Sequence, residues 1–416
     1  MIESDEVLTV IGAGQAGAEL AVQARECGWP GRIVLAGEEL DLPYHRPPLS
    51  KAYLAGSAAR ETLALKARAT YEQAGVDLVL GRRVVAVDRQ ARRVDFDGGP
   101  SIAYTRLAFA TGGRPRPLPS AASGADRAAN FHYLRTLADV DRIRAHFVEG
   151  ARLVIIGGGY VGLEVAAVAV QQGLQVVVLE AAERVLSRVT APAVSSFYER
   201  VHREAGVDVR TGIQVEAFEL NRDRSRVSSV LCMDGQRLAC DLVVAGIGLV
   251  PNTELAAACG LKVEDGIVVD AASRTSDPHI VAAGDCTRHE SALYGRSIRL
   301  ESVPNALEQA RCAAATLTGQ DRRNDSVPWF WSDQYDLKLK MVGLSQGYEQ
   351  LVLRGSPDAG SFCAFYLQGR RVLAVDTVNR VPDFMVAKRL VGERIEVDPE
   401  RLADEAVPLK ALLAAP

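Results

Sequence analysis

Two glycine clusters carry the most pointed chemistry in this chain. Gly12-Ala13-Gly14-Gln15-Ala16-Gly17 and Gly157-Gly158-Gly159-Tyr160-Val161-Gly162 each follow an apolar run and open a helix-like stretch. Glycine at the second place of such a cluster lets backbone N–H groups approach an anion, and the helix N-terminus adds positive potential, so each cluster suits a pyrophosphate. A carboxylate follows each at ~20 residues, Glu38 and Glu180, placed to accept from ribose hydroxyls. Glu180 would bind a free 2′-hydroxyl and repel a 2′-phosphate, which favours NADH over NADPH. Arg184 and Arg188 come soon after it as competing 2′-phosphate ligands; contact with pyrophosphate or solvent is the preferred reading for them.

Two fingerprints imply two dinucleotides. NADH delivers a hydride, whereas a flavin accepts one and releases its electrons singly, so NADH and FAD in one chain form a complete redox pair. Hydride transfer needs the two rings at ~3–3.5 Å.

Positioning such residues requires strand–turn–helix–strand units, and the apolar periodicity supplies two. VLTVI (7–11), a helix over 15–27 and RIVLA (32–36) make the first. The stretch 153–180, LVIIGGGYVGLEVAAVAVQQGLQVVVLE, repeats that pattern as an internal duplication. Short strands are also expected at VVAVD and RRVDF (84–96), followed by a Gly98-Gly99 turn, and at LAFATGG (107–113), DLVVAGIG (241–248) and HIVAAGD (279–285), with a helix over 305–317. PSAASGAD (119–126) has a linker's composition. From about residue 326 alternating segments (YEQLVLRG, SFCAFYLQ, RRVLAVDTVN) suggest a smaller α+β domain with an antiparallel sheet.

Composition narrows the function classes. At 416 residues the chain exceeds one ordinary core, and 48% hydrophobic with 24% charged residues is globular. A net charge of −4 gives no global pull toward nucleic acid or an anionic membrane. No apolar run approaches the ~18 residues a spanning helix needs, and the start, MIESDE, is too acidic for a signal peptide. A soluble, cytoplasmic protein is expected, with neither nucleic acid nor membrane as partner. Cys27, Cys232, Cys240, Cys259, Cys286, Cys312 and Cys363 form no CxxC or CxxxxC pair and read as buried side chains in a reducing compartment. Six isolated histidines show no ligand spacing, so no metal is expected.

Several longer segments carry a resemblance: YHRPPLSKAYLAG (44–56), ATGGRPRPLP (110–119), GGGYVGLEVA (157–166), GIGLVPN (246–252), AAGDC (282–286), ESVPNALEQAR (301–311) and PWFWSDQY (328–335). Through them nearly the whole chain resembles the FAD-dependent ferredoxin reductases of bacterial haem-thiolate monooxygenase systems. Rubredoxin reductases, dioxygenase ferredoxin reductases and apoptosis-inducing factor are more distant relatives. The resemblance implies an α/β protein of two Rossmann-like, glutathione-reductase-like dinucleotide-binding domains plus a C-terminal α+β domain. An FAD-binding domain would span 1–115 and 246–325, an NAD-binding domain 116–245, and the last domain 326–416.

It also implies roles at matching positions. Gly12, Gly14, Ala16, Gly17 and Glu38 would hold FAD together with Gly284 and Asp285 of the second flavin motif. Val84 would lie beside the adenine, Thr111 and Gly112 at the crossing between domains, and Arg135 would reach toward FAD. Val303 and Ala306 would begin the helix aimed at the pyrimidine end of the flavin, with Trp331 packed near that end and Trp329 in ordinary interface core. Gly157, Gly159, Tyr160, Gly162, Glu180 and Gly248 would take NADH. Lys51 would sit near the flavin ring, paired with Glu164, as the catalytic residues.

Where coenzyme A disulfide reductases and NADH peroxidases place a redox cysteine, this chain has proline, serine and lysine, so electrons should not leave through a thiol. The implied acceptor is a 2Fe–2S ferredoxin. Rubredoxin reductase or NADH oxidase activity is the alternative within the class, and a flavoprotein whose redox state governs partner binding is the alternative outside it. Ferredoxins are usually acidic, yet residues 326–416 carry 11 Lys plus Arg against 12 Asp plus Glu, so attraction would need a local patch. Arg311, Lys338, Lys340, Lys388 and Lys410 are its candidates.

Overall fold

A computed structural model describes residues 5–120 and 124–413. The linker-like stretch 119–126 therefore lies partly outside the described residues, as does most of the acidic start. The chain forms two compact units. One comprises Met1–His45, Arg60–Arg114 and Val250–Pro328; the other comprises Arg46–Ala59, Pro115–Leu249 and Trp329–Pro416.

The first unit is built on five parallel strands in the order Ile280–Ala282, Arg106–Phe109, Val7–Ile11, Arg32–Gly37, Val76–Leu80. Four of them are buried on nearly every residue and mostly apolar, because successive residues face opposite sides and both sides are covered, whereas the edge strand Val76–Leu80 carries an exposed Asp77. Leu8 and Val10 enter a cluster with Ala18, Leu20 and Ala21 of the helix Gln15–Glu26 and Ala306, Ala310 and Ala313 of the helix Val303–Leu317. Ile11, Leu107 and Phe109 enter another, with Val84, Val94 and Phe96 of a small antiparallel sheet. The expected helix over 305–317 thus begins two residues earlier, at Val303, with Ser302 as its cap.

The second unit repeats the doubly wound plan: five parallel strands in the order Asp208–Thr211, Gln175–Glu180, Arg152–Ile156, Leu242–Ala245, Phe131–Tyr133. It also holds a second, antiparallel sheet in the order Trp329–Gln334, Leu337–Gly343, Arg371–Val378, Ser361–Gln368, Gln350–Ser356. The expected NAD-binding and C-terminal segments therefore fall in one compact unit. Residues 46–59 are held there too: Tyr53 Oη donates to Asp141 at 2.7 Å and Gln172 Nε2 to the Ala55 carbonyl at 2.9 Å. Among the described residues no helix is long and apolar enough to cross a membrane.

Candidate functional site

The glycines of the first fingerprint differ in why they are glycine. Gly12 has φ +111°, and a Cβ there would lie 2.1 Å from the Ala110 carbonyl oxygen. One on Gly17 would lie 1.9 Å from the Gly12 oxygen. Both glycines let strand, turn and helix press together. Gly14 has an ordinary extended φ of −94°, and a Cβ there would meet nothing within 4 Å. It caps the helix Gln15–Glu26, yet no side chain accepts from the first-turn N–H groups. Among the described residues these donors have no side-chain acceptor, so unpaired N–H groups, positive helix potential and open space coincide at one point. These features fit the diphosphate of FAD.

The second flavin motif converges on the same turn. A Cβ on Gly284 would lie 3.0 Å from the Ala16 Cβ and 3.9 Å from that of Ala306. Asp285 follows it, half-buried. Gln309, which the sequence did not single out, fixes this turn: its Oε1 accepts from Gly284 N at 2.9 Å and from Thr287 Oγ1 at 2.8 Å. Val303 opens a 15-residue helix whose N-terminal potential suits negative charge. Thr111 and Gly112 are tied to Asn252: Thr111 Oγ1 donates to its carbonyl at 2.6 Å, and Asn252 N donates to the Gly112 carbonyl at 2.9 Å. Val84 is buried opposite Phe96, and Glu38 is exposed, 4.0 Å from Arg83 Nε.

In the other unit the second fingerprint shows the same division of labour. Gly157 (φ +108°) would place a Cβ 2.4 Å from the Gly246 oxygen, and Gly162 would place one 2.1 Å from the Gly157 oxygen. Gly159 again meets nothing within 4 Å and caps the helix Tyr160–Gln171 without a side-chain acceptor. Glu180 is held at the turn, its Oε2 accepting from Gly158 N at 2.7 Å and its Oε1 from Ala182 N at 2.8 Å. Tyr160 stacks its ring on Phe330, centroids 5.0 Å apart, and burial pushes its hydroxyl pKa well up. A Cβ on Gly248 (φ +113°) would lie 3.7 Å from Arg188 Nη2 and 3.9 Å from Arg116 Nε.

Of the two competing arginines, Arg184 spends its donors on the Thr190 and Ser187 carbonyls and Ser195 Oγ, at 2.6–2.9 Å, so it shapes its own loop. Arg188 is exposed. Glu180→Ala is accordingly expected to narrow the preference for NADH over NADPH in kcat/KM by at least ~10-fold, the scale of removing one like-charge repulsion. Paired steady-state kinetics with both nucleotides check this; a wild type that prefers NADPH overturns the assignment.

Lys51 and Glu164 do meet. Lys51 Nζ lies 2.7 Å from Glu164 Oε2, with the carboxylate side chain only 4% exposed. Sequence reading missed two hydroxyls on that carboxylate: Ser50 Oγ donates to Oε2, and Ser332 Oγ donates to Oε1 at 2.6 Å. The sole signal for Ser50 was its place beside Lys51, and Ser332 sits one residue from Trp331. Trp331 lies in the strand Trp329–Gln334, 5.5 Å from the Trp329 ring and 6.2 Å from Phe330. Arg135 precedes the capped helix Leu137–Arg144, its carbonyl accepting from Arg46 Nη1 at 2.6 Å.

The docking candidates separate. Lys340 and Lys388 share an aromatic platform, Lys388 Nζ standing 4.3 Å from the Trp329 ring centroid and Lys340 Nζ 5.0 Å from that of Phe384. Partial burial and the Lys340 charge lower the Lys388 pKa. Lys338 and Lys410 are exposed. Arg311, in the first unit, is paired with Glu19 at 3.0 Å, a carboxylate also 3.4 Å from Lys66.

Comparison with known proteins matches this geometry. The family described as pyridine nucleotide-disulphide oxidoreductase matches residues 7–310, and the reductase C-terminal family matches 329–413. The chain is similar to putidaredoxin reductase of Pseudomonas putida, 52% identical over 414 residues that cover 100% of this chain and 98% of that protein. It is 42% identical to rhodocoxin reductase of Rhodococcus erythropolis, covering 98% and 94%. Among solved structures, a covalent putidaredoxin reductase–putidaredoxin complex matches with a TM-score of 0.96 at 52% identity, covering 99% of each chain. The resemblance read from the sequence, with its two dinucleotide-binding folds and C-terminal antiparallel sheet, is borne out.

Proposed function

The chain belongs to the pyridine nucleotide-disulphide oxidoreductase family, and from that premise we infer an NADH-dependent, FAD-containing ferredoxin reductase. Two uncapped helix N-termini, each with open space at its middle glycine, are the observation that carries the two-dinucleotide reading. When bound, FAD accepts a hydride from NADH and gives up its electrons one at a time. Everything else falls to the chain's own residues. Gly14 and Gly159 leave room for a diphosphate, while Gly12, Gly17, Gly157 and Gly162 fix the turns that aim the N–H groups. Glu180 offers acceptors to a ribose and excludes a 2′-phosphate. Lys51 and Glu164 are assigned to the hydride-transfer step: the buried carboxylate holds the ammonium in one place.

No thiol takes part. All seven cysteines are free, and burial pushes Cys240 up to about 12, Cys312 up to about 11 and Cys286 upward, so these stay protonated and unreactive. Free thiols also suit a cytoplasmic setting. The acceptor is a 2Fe–2S ferredoxin, and a haem-thiolate monooxygenase is the proposed end of the chain of transfer. Support comes from the similarity to putidaredoxin reductase and to the complex bearing putidaredoxin. The three-part division into FAD, NAD and C-terminal domains is retained as a functional one.

Turnover with candidate acceptors tests this. FAD-loaded protein with NADH should reduce a 2Fe–2S ferredoxin far faster than rubredoxin or oxygen; equal rates with all three would overturn the ferredoxin assignment. Lys340→Glu should lower the ferredoxin association rate by ~10-fold at low salt and flatten its salt dependence, with ferricyanide reduction nearly unchanged. Equal falls in both reactions would remove the docking role. Lys340 is the cleaner site, because charge reversal at Arg311 would also set a carboxylate against Glu19 and break its 3.0 Å pair.

A further inference from the structure

Glu164 is the end of a hydrogen-bond chain that runs well beyond Lys51. Ser332 Oγ meets its Oε1 at 2.6 Å, and Gln334 Nε2 meets Ser332 Oγ at 3.1 Å. Gln334 Oε1 lies 2.8 Å from His202 Nε2, and His202 Nδ1 lies 3.0 Å from Tyr335 Oη. Ser332, Gln334 and His202 are buried, none more than 1% exposed. Their elements are the strand Trp329–Gln334, whose residues 332 and 334 share one face, and the helix Pro192–Glu204.

The donors in this chain have only one consistent order. A carboxylate accepts only, so the Ser332 hydroxyl must give it its proton. Ser332 Oγ then accepts from the Gln334 amide nitrogen, which turns the amide oxygen toward His202. That oxygen requires a proton on Nε2, leaving Nδ1 bare to accept from the Tyr335 hydroxyl. Burial lowers the His202 pKa, consistent with a neutral ring. Reversing the Ser332–Gln334 or Gln334–His202 link leaves a buried donor facing a donor or an acceptor facing an acceptor, and at the far link the neutral ring leaves Nδ1 able only to accept from Tyr335 Oη. The far end is fixed as well: Tyr335 has φ +56°, unusual for a bulky residue, at the hairpin tip between the two strands Trp329–Gln334 and Leu337–Gly343. Its ring packs 5.1 Å from that of His202.

We propose that Ser332, Gln334 and His202 are positioning residues for the Lys51–Glu164 pair, a one-way hydrogen-bond chain that keeps Glu164 an acceptor and so holds the Lys51 ammonium in place. This rests on the assignment of that pair to hydride transfer. The strand that carries Trp331 thus also sets the hydrogen-bond pattern of a carboxylate on the second fingerprint helix.

Two measurements on the FAD-loaded protein test it. In 15N-histidine NMR at neutral pH, the His202 ring should be neutral with its proton on Nε2; a proton on Nδ1, or a charged ring, overturns the proposal whatever the variants do. In rapid mixing with NADH, Ser332→Ala should slow flavin bleaching by ~10-fold, the loss of one charge-assisted hydrogen bond, with the apparent Kd for NADH within ~2-fold. Ser332→Thr, which keeps the hydroxyl, should restore most of the rate. Folded, FAD-loaded Ser332→Ala with an unchanged rate also overturns it, provided Lys51→Met is slow in the same assay. If Lys51→Met is itself unchanged, the assignment of the pair falls, and this inference with it. Should Ser332→Ala fail to fold, the wild-type tautomer decides.

Discussion

Gly14→Val is expected to give a folded protein that no longer retains FAD. The backbone there has an extended φ of −94°, which a β-branched residue adopts without strain, and a Cβ meets no protein atom within 4 Å. The fold therefore has no need of glycine at this position. A ligand diphosphate approaching the helix N-terminus does need it, because branched methyl groups would occupy that approach. The apparent Kd for FAD should rise by at least ~100-fold, or ~2.7 kcal/mol, read by flavin fluorescence during apoprotein titration. The apoprotein Tm should move by less than ~2 °C, well inside the spread expected for a neutral substitution. Gly17→Ala is the contrasting control: its Cβ would lie 1.9 Å from the Gly12 oxygen, so the fold itself should suffer. Retention of FAD by Gly14→Val would remove the first fingerprint from the binding site.

Lys51→Met should cost ~10–1000-fold in the rate at which NADH bleaches the bound flavin, the range seen when a placed electrostatic group is removed. The reason lies in what is left behind. Glu164 would keep two hydroxyl donors but lose the cation paired with it at 2.7 Å, in a setting where the carboxylate is 4% exposed. Breaking a buried pair costs ~3–5 kcal/mol when both members are desolvated. Lys51 is partly open to solvent, so the stability loss should sit at or below the low end. FAD content should change little. The double variant Lys51→Met/Glu164→Gln should lose less stability than the sum of the singles, since the stranded charge is gone. Unchanged rapid-reaction kinetics would leave Lys51 as a structural lysine only.

How much of this the sequence disclosed depended on the range over which each signal acts. The fingerprints are local: turn, helix start and the carboxylate of the next strand lie within ~25 residues, and period-2 and 3.6-residue patterns report them directly. Composition cannot say which glycine faces a ligand and which faces the Ala110 carbonyl; only packing distinguishes Gly14 from Gly12 and Gly17. In the antiparallel sheet the strands Ser361–Gln368 and Arg371–Val378, read from the sequence as alternating, are buried on nearly every residue, and the strand Leu337–Gly343 lies outside the segments that reading picked out. The helix Val381–Gly392 was also missed, although Pro382 at its first turn is a start signal. Ser332, Gln334, His202 and Gln309 were invisible for another reason: their meaning comes from partners tens to more than a hundred residues away.

The surroundings of Glu164 have a consequence for how such genes recombine. The carboxylate comes from the stretch 115–249, its cation and one hydroxyl from 46–59, and the other hydroxyl from the segment beginning at Trp329. A cassette holding only the second fingerprint would carry a buried negative charge into a new host without the groups that neutralise it. Chimeras between homologues that cross over near residues 115 and 249 should therefore express poorly unless both parents agree at Ser50, Lys51 and Ser332. Three separated stretches of coding sequence are in effect inherited as a single block.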